Sequence, residues 1–207
     1  MARNIGPKCK DCRRFGVKLC SNPAGKCAFE KRKTPPGDIS PTRRRRSSEY
    51  GQQLKEKQKA RAIYGILERQ FRNYYRKANN MDGVTGDRLL ELLESRLDNT
   101  VYRLGFAISR SHARQIVAHG HIQVNGKKVS IPSYQVKKGD EIKWKNSSKN
   151  TTLFEIIKSA ENVNVVVPRW LKSDTANGSG QVVTGPNISE IDTLIDTRQI
   201  IEYYSRR

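Results

Sequence analysis

The sequence predicts an α+β protein, with helices first and a small sheet after, and three observations carry that prediction. Helix-forming and apolar residues recur at helical spacing between Glu49 and His119. Beyond His119, apolar and polar residues alternate before Asn125-Gly126, the strongest short signal for a two-residue hairpin turn. The four cysteines all lie within the first 27 residues, ahead of both patterns, and mark a segment of their own.

In that segment Cys9-x2-Cys12-x7-Cys20-x6-Cys27 supplies four thiolates within 19 positions, and the first pair has the spacing with which one backbone knuckle presents two sulfurs to a tetrahedral ion. In a reducing compartment such a cluster reads as a metal site before it reads as two disulfides. One zinc is the first candidate; an iron–sulfur cluster accepts the same ligands, and four reduced cysteines packed as small hydrophobes are the bland alternative. Lys8, Lys10, Arg13, Arg14 and Lys18 around the cluster leave it little core to enter. Full thiolate ligation leaves no open position, so the site would be structural, folding a segment of about forty residues otherwise too short and polar to hold itself together.

Three prolines and a glycine between Thr34 and Thr42 deny regular structure and mark a linker, followed at once by Arg43-Arg44-Arg45-Arg46. Glu49 to Gly65 and Glu68 to Ala78 read as helices; the second puts Phe71, Tyr74, Tyr75 and Ala78 on one side and Arg69, Arg72 and Arg76 on another. Leu89, Leu93 and Leu97, with Leu90 and Leu92, are expected to form the main helical core, with a break near Asp98-Asn99 before Val101 and Leu104. Ser109 is placed to cap a short helix through His119 with Ala113, Ile116 and Val117 inward, and Gly120 stops it. Ile122 and Val124 enter the hairpin that Lys127, Lys128 and Val129 leave; Lys138-Gly139-Asp140 turns into the strand Glu141 to Trp144. Residues 173–187 read as a mobile loop with a short strand, and Ile200 to Tyr204 close the chain.

The 207 residues hold 40 Lys plus Arg against 20 Asp plus Glu, a net charge of +20, and only 35% are hydrophobic, against roughly 45–50% in typical domains. The core is therefore modest, and a partner is needed to stabilise much of the chain. By segment the net charge is +10 over 1–50, +4 over 51–97, +7 over 98–160 and −1 over 161–207, so the positive field belongs to the first three quarters. A polycation of this kind condenses onto a polyanion by counterion release, which makes nucleic acid the first candidate. There is no run of eighteen apolar residues and no large apolar helix face, which argues against a membrane, and no apolar stretch follows the charged N-terminus, which predicts no signal peptide and a cytoplasmic location.

The arginine run needs a counter-charge, and phosphate contact is favoured over a solvated tail. Lys55 and Lys59 are like charges at i,i+4 that a phosphate backbone would convert to attraction; ordinary surface lysines are the alternative. On the 109–119 helix, Ser111, Arg114 and Gln115 flank or oppose the apolar triad, and with Lys127 and Lys128 of the hairpin they make a compact surface for the shape and backbone of folded RNA. His112, His119 and His121 suit polar contacts rather than catalysis. There is no Gly-x-Ser-x-Gly, and Gly120 to Gly126-Lys127 has one residue too many for a phosphate loop and no Ser or Thr after the lysine, so no enzyme and no small-molecule substrate are indicated.

The run Arg96-Leu97-Asp98-Asn99-Thr100-Val101-Tyr102-Arg103-Leu104-Gly105-Phe106, then Ser109-Arg110 and His119-Gly120-His121-Ile122-Gln123-Val124-Asn125-Gly126, resembles the family of ribosomal protein four of the small subunit, in its bacterial-type, zinc-cysteine form. The resemblance extends through Glu56-Lys57-Gln58-Lys59, Tyr64-Gly65-Ile66, Glu68 to Arg72, Pro132-Ser133-Tyr134, Lys138 to Ile142 and Ile201 to Ser205, and so spans essentially the whole chain.

That resemblance implies a helical domain with an inserted small α/β RNA-binding domain and an N-terminal metal-bound segment: 1–47 as zinc segment and basic linker, 48–97 as helical domain completed by about 190–207, and 98–189 as the insertion carrying an RNA-binding module over 98–160. It implies a structural protein of the small ribosomal subunit that binds the 5′ domain of 16S rRNA early, nucleates assembly of the subunit body and touches ribosomal protein five, influencing accuracy. Family members also line the mRNA entrance with basic residues, for which Arg43 to Arg46 are the candidates, and some repress their own mRNA. Within the module, Arg96, Arg103, Arg110, His119, His121 and Asn125 join the RNA-binding candidates, and Cys9, Cys12, Cys20 and Cys27 are the implied zinc ligands. Enzymes that carry such a module as an appendage are the rival class, but the 47 residues after position 160 leave no room for a catalytic domain.

Overall fold

The computed structural model describes residues 6–23, 25–37, 47–159, 166–187, 190–191 and 194–206, which group into two compact units: 1–86 with 192–207, and 87–191. The second unit is thus inserted into the first; the division falls after Gly86, where the sequence reading drew it at 97.

In the first unit, α1 (Lys8–Phe15) and α2 (Ala28–Lys31) belong to the cysteine segment, and α3 (Glu49–Tyr64) and α4 (Glu68–Asn79) form the helical body. Ser48 caps α3 by accepting the Gly51 N–H, and Gly65, at φ +64°, ends it in the left-handed conformation that glycine adopts without penalty. The last helix of the chain, α10 (Thr197–Ser205), packs on α3; in the numbering used here α5 to α9 lie between. Tyr204 stacks on Tyr75 with centroids 4.5 Å apart, and its hydroxyl donates to Glu68 Oε1 at 2.9 Å. Lys57, only 4% exposed, places Nζ 2.9 Å from the same oxygen and 4.5 Å from the Tyr203 ring centroid, so its charge is neutralised inside the packed helices. Burial opposes ionisation of the Glu68 carboxyl, but bonds from Lys57 and Tyr204 outweigh it and hold the group below the usual carboxylate range.

In the second unit, α5 (Thr85–Glu94), which begins in the first unit, leads to α6 (Leu97–Arg103) and α7 (Arg110–Ala118). Strands β1 (Ile122–Val124), β2 (Lys127–Lys128), β3 (Glu141–Trp144), β4 (Leu171–Asp174) and β5 (Ser179–Val182) form an antiparallel sheet in the order β2-β1-β3-β5-β4, with α8 (Asn146–Lys149) and α9 (Thr152–Ser159) between β3 and β4. Register Ile122↔Trp144 and Val124↔Ile142 sends those four side chains to one face, where they meet Leu97, Val101, Leu104, Phe106, Ile116 and Val117 of the helical layer.

Three expectations are corrected here. The helix break falls at Ser95-Arg96, and Asp98 and Asn99 lie inside α6. The core is centred on Leu97, Val101 and Leu104 against the sheet; Leu89, Leu90 and Leu93 are buried outside that cluster and Leu92 is half-buried. Residues 171–182, read in part as a loop, form the hairpin β4-β5 that completes the sheet, because Gly180 lets the β5 backbone lie against Leu104: a Cβ there would sit 2.6 Å from Leu104 Cδ2.

Candidate nucleic-acid interface and metal centre

The α7 face is built from its first turn upward. Ser109 Oγ accepts the His112 N–H, which fixes where the helix starts. Burying Ala113, Ile116 and Val117 then turns Ser111, Gln115 and His119 to solvent and leaves Arg110 and Arg114 half-exposed. After Gly120, at φ +77°, β1 and β2 follow through Asn125 (φ 50°) and Gly126 (φ 76°). Lys127 and Lys128 emerge exposed on the edge strand, with the Lys128 side chain lying across Gly120. His121 Nδ1 lies 3.0 Å from the buried Ser148 Oγ; burial, then the positive charge of His119, Lys128 and Lys145, lowers its pKa. Helix face and hairpin together present cations and small polar groups with no acid among Ser111, Arg114, Gln115, His119, Lys127 and Lys128.

Beneath this face two buried acids organise the arginines. Asp98 takes Arg96 in a two-pronged pair, 3.0 and 2.7 Å, accepts the Asn99 N–H at 2.9 Å and stands 3.5 Å from Arg114 Nη1. Glu94, fully buried, takes Arg103 through both oxygens at 3.0 and 3.1 Å and accepts the Asn99 amide at 2.8 Å. The Asn99 amide oxygen accepts Arg110 Nε at 2.8 Å, and the Arg110 guanidinium lies 4.7 Å over the Tyr102 ring. Arg96 and Arg103 are therefore corrected from RNA contacts to internal ion pairs: at 1% and 8% exposure they have almost no surface to offer. Asn125, by contrast, stays exposed at the hairpin turn, its amide bridging Asp140 Oδ1 (2.8 Å) and the Glu141 N–H (2.9 Å).

On the first unit, Arg69, Arg72 and Arg76 are exposed along one side of α4 while Phe71, Tyr74 and Ala78 are buried on the other. Lys55 is exposed, whereas Lys59 is held by Glu56 at 2.7 Å. Arg43 to Arg46 lie outside the described residues.

Helix α1 carries Cys9 and Cys12 one turn apart, and the loop after it returns Cys20 and Cys27 to the same place. The sulfurs of Cys9, Cys20 and Cys27 lie within 4.8 Å of one another, with Cys9–Cys20 at 4.0 Å and Cys20–Cys27 at 3.4 Å. Those separations bracket the edge of about 3.8 Å that a tetrahedron with 2.3 Å metal–sulfur bonds requires. Cys12, fully buried, stands outside that mutual trio, and its sulfur accepts the Leu19 N–H at 3.2 Å. Burial pushes the Cys20 thiol up to about 12. Burial acts the same way on Cys27, but the Phe29 N–H and the neighbouring thiols outweigh it and leave that thiol lowered. Thiols this close ionise together only around a cation, so the donor set fits zinc.

Residues 3–94 match the family model of the ribosomal protein S4/S9 N-terminal domain and residues 95–142 that of the S4 domain. Over 100% of both chains, this sequence is 51% identical to small ribosomal subunit protein uS4 of Natranaerobius thermophilus, 50% to uS4A of Clostridium novyi and 49% to uS4 of Dehalococcoides mccartyi. The chain belongs to the uS4 family. As a uS4-family protein it is a structural, RNA-binding constituent of the small subunit of the cytoplasmic ribosome, not an enzyme. The S4-domain match covers α6, α7, β1 and β2 and stops inside β3, so the β4-β5 half of the sheet comes from chain beyond it. What sequence reading missed in this uS4-family module is its buried polar framework, the acids Glu94 and Asp98 with the Asn99 amide, together with Tyr102. Its only sequence signal is short-range charge alternation, Glu94-x-Arg96-x-Asp98 and Arg103 one helix further.

Proposed function

We propose that this chain is a primary binder of the 16S rRNA 5′ domain that nucleates assembly of the body of the small subunit. The observation that carries the reading is the cationic α7 and hairpin surface, in which Arg110, Ser111, Arg114, Gln115, His119, His121, Lys127 and Lys128 fall on the S4-domain span, with exposed Glu141 at its border held by Lys143 at 2.6 Å. Such a surface suits the wide minor groove and 2′-hydroxyls of folded RNA, where backbone shape rather than base edges is read. Arg69, Arg72 and Arg76 on α4, with Lys55, supply a second set of phosphate contacts from the other unit. Ribosomal protein five is the neighbouring protein, through which the chain contributes to translational accuracy; Arg43 to Arg46 meet mRNA at its entrance; and repression of the chain's own mRNA uses the same RNA-binding surface.

Cys9, Cys12, Cys20 and Cys27 would hold one zinc, whose chemistry is that of a cross-link between α1 and the loop after it. Chemical protection of 16S rRNA by the full chain, with zinc determined by elemental analysis on the same sample, tests both readings. Protection confined to a 5′-domain helical junction with one zinc per chain is expected. Diffuse protection would reduce the protein to a nonspecific polyanion binder, and metal-free protein would remove the zinc.

A further inference from the structure

The α7 arginines differ in how they are held. Arg114 reaches a carboxylate only at 3.5 Å, whereas Arg110 is fixed twice, by the Asn99 amide oxygen on its Nε at 2.8 Å and by the Tyr102 ring 4.7 Å from its guanidinium carbon. Asn99 is 2% exposed and cannot itself touch RNA. Its amide orientation is dictated from behind: the amino group donates to the Glu94 carbonyl at 3.1 Å and to Glu94 Oε2 at 2.8 Å, both pure acceptors, so the carbonyl oxygen must face Arg110. Glu94 is fixed in turn by the two-pronged contact of Arg103. The line Arg103–Glu94–Asn99–Arg110 therefore runs from a buried ion pair to the first residue of the RNA-facing helix.

We propose that Asn99 is a positioning residue for RNA binding: it sets the plane and reach of the Arg110 guanidinium, so that Arg110 meets an RNA phosphate with its orientational freedom already removed. The proposal rests on the reading of α7 as part of the rRNA-binding surface. An arginine stem carries several freely rotating bonds, and a side chain immobilised before binding loses less entropy on contact. The specific requirement is an Nε–H. Lysine at 110 keeps the charge but has no donor at that place on its stem, so the Asn99 oxygen could no longer steer it.

The test measures binding of the full-length protein to 16S rRNA across a salt series for Asn99→Ala, Arg110→Ala, Arg110→Lys and the pairs Asn99→Ala with each. Each single variant is expected to weaken binding about tenfold; Arg110→Ala, which removes the charge, should also reduce the log–log salt slope by about 0.7–0.9, one phosphate contact, while Asn99→Ala and Arg110→Lys leave the slope unchanged. Both double variants should bind no worse than the corresponding Arg110 variant alone, because the two residues act as one unit. Additive losses of about a hundredfold, Arg110→Lys binding like the wild type, or Asn99→Ala binding like the wild type would each overturn it. Arg110→Lys alters only a half-exposed side chain and keeps the test decisive if Asn99→Ala fails to fold. Wild-type protein that does not distinguish 16S rRNA from unrelated RNA would instead defeat the rRNA-binding reading itself.

Discussion

Glu94 is fully buried and yet charged, and it survives there because Arg103 and the Asn99 amide occupy its oxygens. Removing one member of such a pair leaves the other as an uncompensated charge, so Glu94→Ala should destabilise the second unit by about 3–5 kcal/mol in urea unfolding, with Glu94→Gln/Arg103→Met recovering a large part. A second residue-scale consequence concerns pH. Burial lowers the pKa of both His112 and His121, the latter also facing His119, Lys128 and Lys145. The unfolded chain takes up protons near the ordinary value of about 6.5 while the folded one resists, so stability is kept above that pH and lost as pH falls below it. Urea midpoints should therefore drop between pH 7 and pH 5, and drop less when both histidines are replaced by Gln. The arginines make the related point: composition counts Arg96, Arg103 and Arg72 alike, but only Arg72 has its charge at the surface.

Among elements, α7 behaves as its sequence foretells, with the Ser109 cap, the inward triad and Gly120 all in place. The Asn125-Gly126 hairpin does the same because its two left-handed residues are the ones that a turn of this length demands. The β4-β5 hairpin was not legible in this way: Leu171 to Asp174 and Ser179 to Val182 are rich in Ser and Gly and gain their strand state from pairing with β3 and packing under Leu104. Gly180→Ala should then cost about 1–3 kcal/mol by forcing Leu104 aside, a loss visible as a lower urea midpoint with the helical far-UV signal retained. An unchanged midpoint would mean that Leu104 has room to move. The α5 to α6 break was misplaced by three residues for a similar reason: Arg96 leaves the helix to pair across the chain with Gln135, a partner no local pattern reveals.

At the scale of the whole molecule, a charge of +20 on two units with modest cores makes binding to RNA strongly salt-dependent. The logarithm of the affinity should fall with the logarithm of salt concentration by about 0.7–0.9 per phosphate contact, and a flat response would contradict an electrostatic interface. The cysteine segment gives a second test of the proposed zinc: Cys9→Ser with Cys12→Ser should open residues 1–40 to protease while the later residues stay resistant. Equal resistance in the variant would show that the segment folds without these two thiols.

The sequence by itself determined the class of the fold, the helices between Glu49 and Ala118, the first hairpin, the clustering of the cysteines and the polyanionic partner, because each is written in local spacing or in summed charge. The tertiary structure decided which cations remain at the surface, which strands complete the sheet and where one unit gives way to the other. Those outcomes depend on pairs far apart in the chain, such as Leu104 with Gly180 or Gln135 with Arg96, whose energies come from desolvation and close packing that no window of neighbouring residues contains.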